Sequence, residues 1–126
     1  MSRIPPEPVI PVIKTLYNDA RVTSGELTLS DDATNYDILV FKLKTNAQYK
    51  YEIVVEPIAG QEFFFNVAVY NASGLQTEPY YYRNVNLVKI LSNNTKKISI
   101  DTSYNNGNLV VGIVAVYGIK LVGSIT

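Results

Sequence analysis

The chain has 126 residues, with Lys+Arg 11 balanced by Asp+Glu 11, and contains neither cysteine nor histidine. A chain of this length makes one domain that buries roughly two thirds of its unfolded surface without a covalent staple, and its neutral balance leaves no whole-molecule field to gather nucleic acid or an anionic membrane. Without His and Cys, the usual general base, the thiol nucleophile, disulfides and the usual zinc ligands are all missing, and the redox compartment stays open.

Residues 1–11 carry Pro5, Pro6, Pro8 and Pro11. Each fixes φ and removes a backbone donor, so this stretch is expected to be an extended arm or linker before a single domain spanning 12–126. The same stretch has no unbroken apolar segment and does not read as a secretory signal, and no 18-residue apolar run is present to insert into a membrane.

From Val12 onward short β-rich segments follow one another. "ELTL" (26–29) is a short strand. "YDILVFKL" (36–43) is apolar on both alternating sets and fits a central strand, covered on both sides or lying at a subunit interface. Tyr49, Tyr51, Ile53 and Val55 alternate with Lys50, Glu52, Val54 and Glu56, a period of two that predicts a strand with one wet face. "EFFFNVAVY" (62–70), "YYYRNVNLVKIL" (80–91) and "KKISID" (96–101) supply further strands. "NLVVGIVAVYGIKL" (108–121) is a second run apolar on both sets. Turn-forming clusters separate them, and Asn106-Gly107 is the strongest hairpin signal because a type I′ turn needs positive φ at both central positions. About eight strands with almost no helical periodicity predict an all-β fold, an antiparallel, jelly-roll-like β-sandwich.

Candidate chemistry is sparse. Glu52 and Glu56 lie four strand residues apart, about 13 Å, beyond the spacing of a glycosidase pair, and read as a solvated face. Asp31-Asp32 reads as a turn cap rather than a metal site. "DTSYNNGN" (101–108) has oxygen-bearing side chains at Asp101, Ser103 and Asn105, but its glycine is one place late and Gly112 stands where a calcium loop needs glutamate, so a hairpin turn is preferred. The triplets at Asn71 and Asn93 read as turns. The lysines are spread among acidic residues, which argues against nucleic acid as a partner. No cofactor or metal is expected, and no enzymatic activity.

The run Tyr80-Tyr81-Tyr82-Arg83 is the candidate contact group. Successive strand residues point to opposite faces, so Tyr80 and Tyr82 share one face and Tyr81 takes the other; three rings cannot form one platform. Three readings stay open: packing within the sandwich, contact with a protein partner or second subunit, and stacking on a glycan.

"LYNDARVTSGELTLSDDATNYDILVFKL" (16–43) resembles the opening of C-terminal domains in minor tail, baseplate and tail-fibre proteins of tailed bacteriophages: a short strand with "LY", a small-residue loop, "TLSD", an "NYD" turn and a hydrophobic strand. "VAVYGIKL" (114–121) is similar to the strand that often closes those domains. In that arrangement Tyr17 and Tyr117 fall on neighbouring strands, with Leu27, Leu29, Ile38 and Val40 in the core. The resemblance implies a non-enzymatic virion structural protein of the distal tail or baseplate, from a phage of Gram-positive hosts, made in the host cytoplasm. Its role would be assembly of the adsorption apparatus together with host-envelope recognition. Its partners would be other tail and baseplate proteins, a host cell-wall glycan or surface protein, and further copies of itself. The alternative is a free-standing carbohydrate-binding module.

Overall fold

The computed structural model describes residues 9–44, 49–71, 80–101 and 112–122; of 67–71 and 80–84 it describes the backbone alone. Eight strands follow in chain order: β1 (Ile10–Val22), β2 (Gly25–Thr28), β3 (Ile38–Lys44), β4 (Tyr49–Val55), β5 (Glu62–Asn71), β6 (Tyr80–Ile90), β7 (Lys97–Asp101) and β8 (Gly112–Val122). They form two four-stranded sheets, ordered β1-β8-β3-β4 and β2-β7-β6-β5, with every pairing antiparallel. The predicted all-β sandwich of about eight strands is therefore the fold. The β3–β4 hairpin stays within the first sheet and β5–β6–β7 meander within the second, while β1–β2, β2–β3, β4–β5 and β7–β8 pass between layers.

The two runs that are apolar on both alternating sets, β3 and β8, are the two central strands of the first sheet. In β3 the alternation is sharp: Leu39, Phe41 and Leu43 are buried, while Ile38, Val40, Lys42 and Lys44 on the opposite side are half-buried. The buried set meets Val88 and Ile90 of β6, Ile98 and Ile100 of β7, and Ile113 and Val116 of β8 in one core cluster. Within it Phe41 packs edge-on against Phe65 at 5.0 Å between ring centroids and tilted against Phe63 at 5.7 Å. Each such side chain, fully buried, contributes about 1.5–3 kcal/mol.

Three expectations change. Leu27 and Leu29 are core residues, but Ile38 and Val40 are not; they share the parity of Lys42 and Lys44 and lie on the outer face of the first sheet. β1 begins at Ile10, inside the expected arm, with Ile10 opposite Val122 and Pro11 opposite Leu121. It is an edge strand, where proline's missing donor removes no ladder bond that the sheet needs. The third change concerns β4. Its polar set turns inward, with Val54 buried and Glu52 half-buried beside it, whereas the apolar set is the exposed one: Tyr49 57%, Tyr51 54%, Ile53 63% and Val55 62%. Glu52 is thus not part of a solvated face; it is paired with Lys50 at 3.1 Å.

Candidate contact surfaces

The segment between β2 and β3 contains the "SDDATNYD" residues, and the fold fastens it at both ends. Asp31 Oδ1 accepts from the Asp32 N–H (2.8 Å) and from Asn35 Nδ2 (3.1 Å), and Asp31 Oδ2 accepts from the Tyr36 hydroxyl (2.9 Å). Thr95 Oγ1 donates to Asp32 Oδ1 (2.7 Å), and the Ala33 N–H donates to the Thr95 carbonyl (2.9 Å), which ties this segment to the β6–β7 turn. The Asp31 side chain caps local backbone, amide and hydroxyl groups, as the turn reading expects, whereas the Asp32 side chain makes no local cap and bonds instead to Thr95.

Asp31 is held below the ordinary carboxylate value, first by the Asp32 N–H and then by the Tyr36 hydroxyl. Tyr36 is pushed above the ordinary phenol value, first by burial and then by its bond to Asp31. The two shifts together keep the proton on the phenol and the charge on the carboxylate. The pair is a fixed strut rather than a proton relay.

This strut holds the Tyr36 ring over β8. A Cβ at Gly118 would lie 2.5, 2.6 and 2.8 Å from carbons of that ring, so only glycine admits the contact. Next to it the Asp37 N–H donates to the Ile119 carbonyl (3.0 Å), and Asp37 Oδ2 accepts from the Leu121 N–H (2.7 Å). The "NYD" turn and the "YGIKL" strand, about 80 residues apart in sequence, are one packed joint. β1 and β8 are neighbours, as expected for Tyr17 and Tyr117, with Tyr17 opposite Val116 and Thr15 opposite Tyr117.

Tyr80, Tyr81, Tyr82 and Arg83 open β6 at the far end of the β5–β6 hairpin, opposite Asn71, Tyr70, Val69 and Ala68 respectively. They occupy successive strand positions, the condition on which their alternation rests. Their side chains lie outside the described residues.

A second surface went unnoticed in the sequence. On the outer face of the first sheet, two cross-strand rows run over all four strands: Ile13–Ile119–Ile38–Val55 and Thr15–Tyr117–Val40–Ile53. Beyond them Lys42 faces Tyr51 and Lys44 faces Tyr49, with the Lys42 Nζ 4.5 Å and the Lys44 Nζ 5.6 Å from the Tyr49 ring centroid. Such exposed cation–π contacts are each worth about 0.5–1 kcal/mol. The signal was present in the strict alternation of residues 49–56; alternation does not say which set faces out.

The other sequence candidates resolve simply where they are described. Asn94 Oδ1 accepts from the Lys96 N–H (3.2 Å) and the Asn94 carbonyl from the Lys97 N–H (3.0 Å), so the Asn93 triplet is a side-chain-braced turn. Residues 102–108 of the calcium-like run, and the Asn106-Gly107 hairpin, lie outside the described residues. Among the described residues no three His, Cys, Asp or Glu side chains converge as metal ligands would. No model of a known protein family matches the chain, and no curated protein matches it either.

Proposed function

We propose that the chain is a non-enzymatic structural component of the distal tail or baseplate of a tailed bacteriophage of Gram-positive hosts, serving assembly of the adsorption apparatus and recognition of the host envelope. The observation that carries this reading is the physical unity of the two sequence patterns behind the resemblance. Residues 16–43 and 114–121 pack against each other rather than lying on separate surfaces. Tyr36 fills the space that Gly118 leaves open, and Asp37 bonds to the backbone of Ile119 and Leu121. A pattern kept together by mutual packing requirements is a more specific signature than its short parts.

A body of two layered sheets without histidine or cysteine suits holding rather than transforming a partner. Repeated copies in a particle would let weak contacts add through avidity, so a shallow surface suffices. The test is immunogold labelling of purified phage particles with antibodies raised against the domain. Label confined to the distal tail supports the reading, and unlabelled particles refute it. Recognition is separated from assembly by adsorption: antibodies that decorate particles block attachment only if the domain touches the host. Binding of the isolated domain to purified cell walls, lost in Tyr81→Ala, would favour the carbohydrate-binding alternative and place that residue in its site.

A further inference from the structure

Each sheet of the sandwich ends in two edge strands, and β1, β2 and β5 are all guarded. β1 carries Pro11 and breaks register against β8 at Thr15/Tyr17 and Asn18/Val22, and β2 is only four residues long. On β5 the outward carbonyl of Asn66 accepts from Lys50 Nζ (3.2 Å). Proline, bulges, shortness and a lysine at the edge are the devices by which folded proteins keep foreign strands away. β4 runs seven residues in unbroken register with β3 and has no proline. The Glu56 N–H donates to the Asp37 carbonyl (2.7 Å), so the even-numbered residues of β4 bond to β3, and the N–H and C=O groups of Tyr49, Tyr51, Ile53 and Val55 point to the open edge. Among the described residues nothing bonds to them.

We infer that β4 pairs antiparallel with β4 of a second copy, edge to edge about a two-fold axis, so that the two first sheets become one. The charges of the strand select that partner. Lys50 and Glu52 are the charged residues of β4, and both lie on its inner side with Val54. A foreign strand without charge offers neither of them a partner across the new ladder. A second copy offers both, because an isologous contact brings the same two residues together in each direction.

The same charges fix the register. Outward-pointing residues must face each other across the new ladder, so the axis passes through a residue and not between two. An axis through Lys50 or through Glu52 sets like charge on like, and an axis through Ile53 sets Glu52 against Val54. An axis through Tyr51 sets Lys50 against Glu52 of the other copy in both directions, at the close, non-hydrogen-bonded positions. Tyr51 then meets Tyr51, and Tyr49 meets Ile53, which are aromatic and aromatic–β-branched pairs of the stabilising kind. Tyr49, Tyr51 and Ile53 exchange backbone bonds with the other copy through the groups that β3 leaves unused. Within one chain Lys50 and Glu52 already pair at 3.1 Å, so the contact extends that pair into a cluster of alternating sign. One strand against one strand is a small contact; association is therefore weak in solution and gains where copies are repeated.

This inference stands apart from the tail reading, because self-association is measured on the pure chain and particle labelling is not. Sedimentation equilibrium of the full chain, taken to several hundred micromolar, should show a monomer–dimer equilibrium. Lys50→Glu and Glu52→Lys chains should each associate about tenfold more weakly, since like charges then meet across the axis. Mixed in equal amounts, the two variants should form a heterodimer within a few-fold of wild-type affinity, because every facing pair is again of opposite sign. The ion pair within a chain is lost in both variants and mixing does not bring it back, so the rescue reports the contact between chains alone. Tyr51→Pro removes an N–H that points to the open edge and none that bonds to β3, and it should abolish association. Circular dichroism checks that its fold is kept; if it is not, the mixed charge variants decide. A wild-type chain that stays monomeric overturns the proposal. So do single charge variants that dimerise unchanged, or a mixture that associates no better than its parts.

Discussion

Replacing Gly118 by alanine tests the joint between the "NYD" turn and β8. The added methyl would lie 2.5–2.8 Å from three carbons of the Tyr36 ring. The ring cannot simply swing away, because its hydroxyl is held by Asp31 and the side chain is buried against the core. Overpacking of this kind costs about 1–3 kcal/mol, and a pinned ring puts this site at the upper end. Against it stands the smaller entropy of an alanine in the unfolded chain, a gain of about 0.4–1 kcal/mol. The net expectation is a loss of about 2 kcal/mol, read in urea melts as a lower midpoint with unchanged slope and in heating as a fall of roughly 6–10 °C. The decisive measurement is the same substitution in a Tyr36→Ala background. With the ring gone the methyl meets no clash, so Gly118→Ala should become neutral or stabilising, and the coupling between the two sites should be about 2–3 kcal/mol. Equal costs of Gly118→Ala with and without the ring would refute the reasoning.

Three other perturbations probe neighbouring features. Thr95→Val removes the hydroxyl that bridges to Asp32 and should cost about 1–2 kcal/mol in urea unfolding. Asp31→Asn should flatten the acid limb of stability. The Asp31 value is lowered on folding, so between it and the unfolded value of about 3.9 the unfolded chain binds more protons; stability is present in full above this window and lost as pH falls through it. Urea midpoints taken from neutral to strongly acid pH should therefore converge for wild type and variant at the acid end. Asn86 is buried on β6, and its Oδ1 has no hydrogen-bond partner among the described residues. Asn86→Leu, which removes that carbonyl and fills similar space, should raise stability by about 1 kcal/mol in the same assay.

Strand order and layering were only partly legible in the residues. Alternation and turn composition located β2 to β8 to within a few residues, because the pleat imposes its period of two locally and turns demand glycine, asparagine and aspartate at given φ; β1, which starts inside the expected proline arm, was not located this way. The two runs apolar on both sets were correctly expected to be central strands, since only a strand with neighbours on both edges and apolar groups on both sides suits such a sequence. The Asp31 cap was legible for the same local reason, since its partners at Asp32, Asn35 and Tyr36 lie within five residues; the Asp32 side chain, bonded to Thr95 across the fold, was not.

What the residues left undecided is everything that depends on which side of a sheet meets the other sheet. The parity of β3 put Leu39, Phe41 and Leu43 inside rather than Ile38 and Val40, and the parity of β4 turned Tyr49, Tyr51, Ile53 and Val55 outward. Shifting a strand by one residue exchanges its whole inner and outer sets, and nothing within a run apolar on both sides selects between them. The selection is made by packing over long sequence distances: Phe41 against Phe63 and Phe65, and Tyr36 against the one residue on β8 that leaves it room. The sequence by itself determined that strands form and where most of them turn; the tertiary structure decided which of their faces packs into the core and which is left exposed.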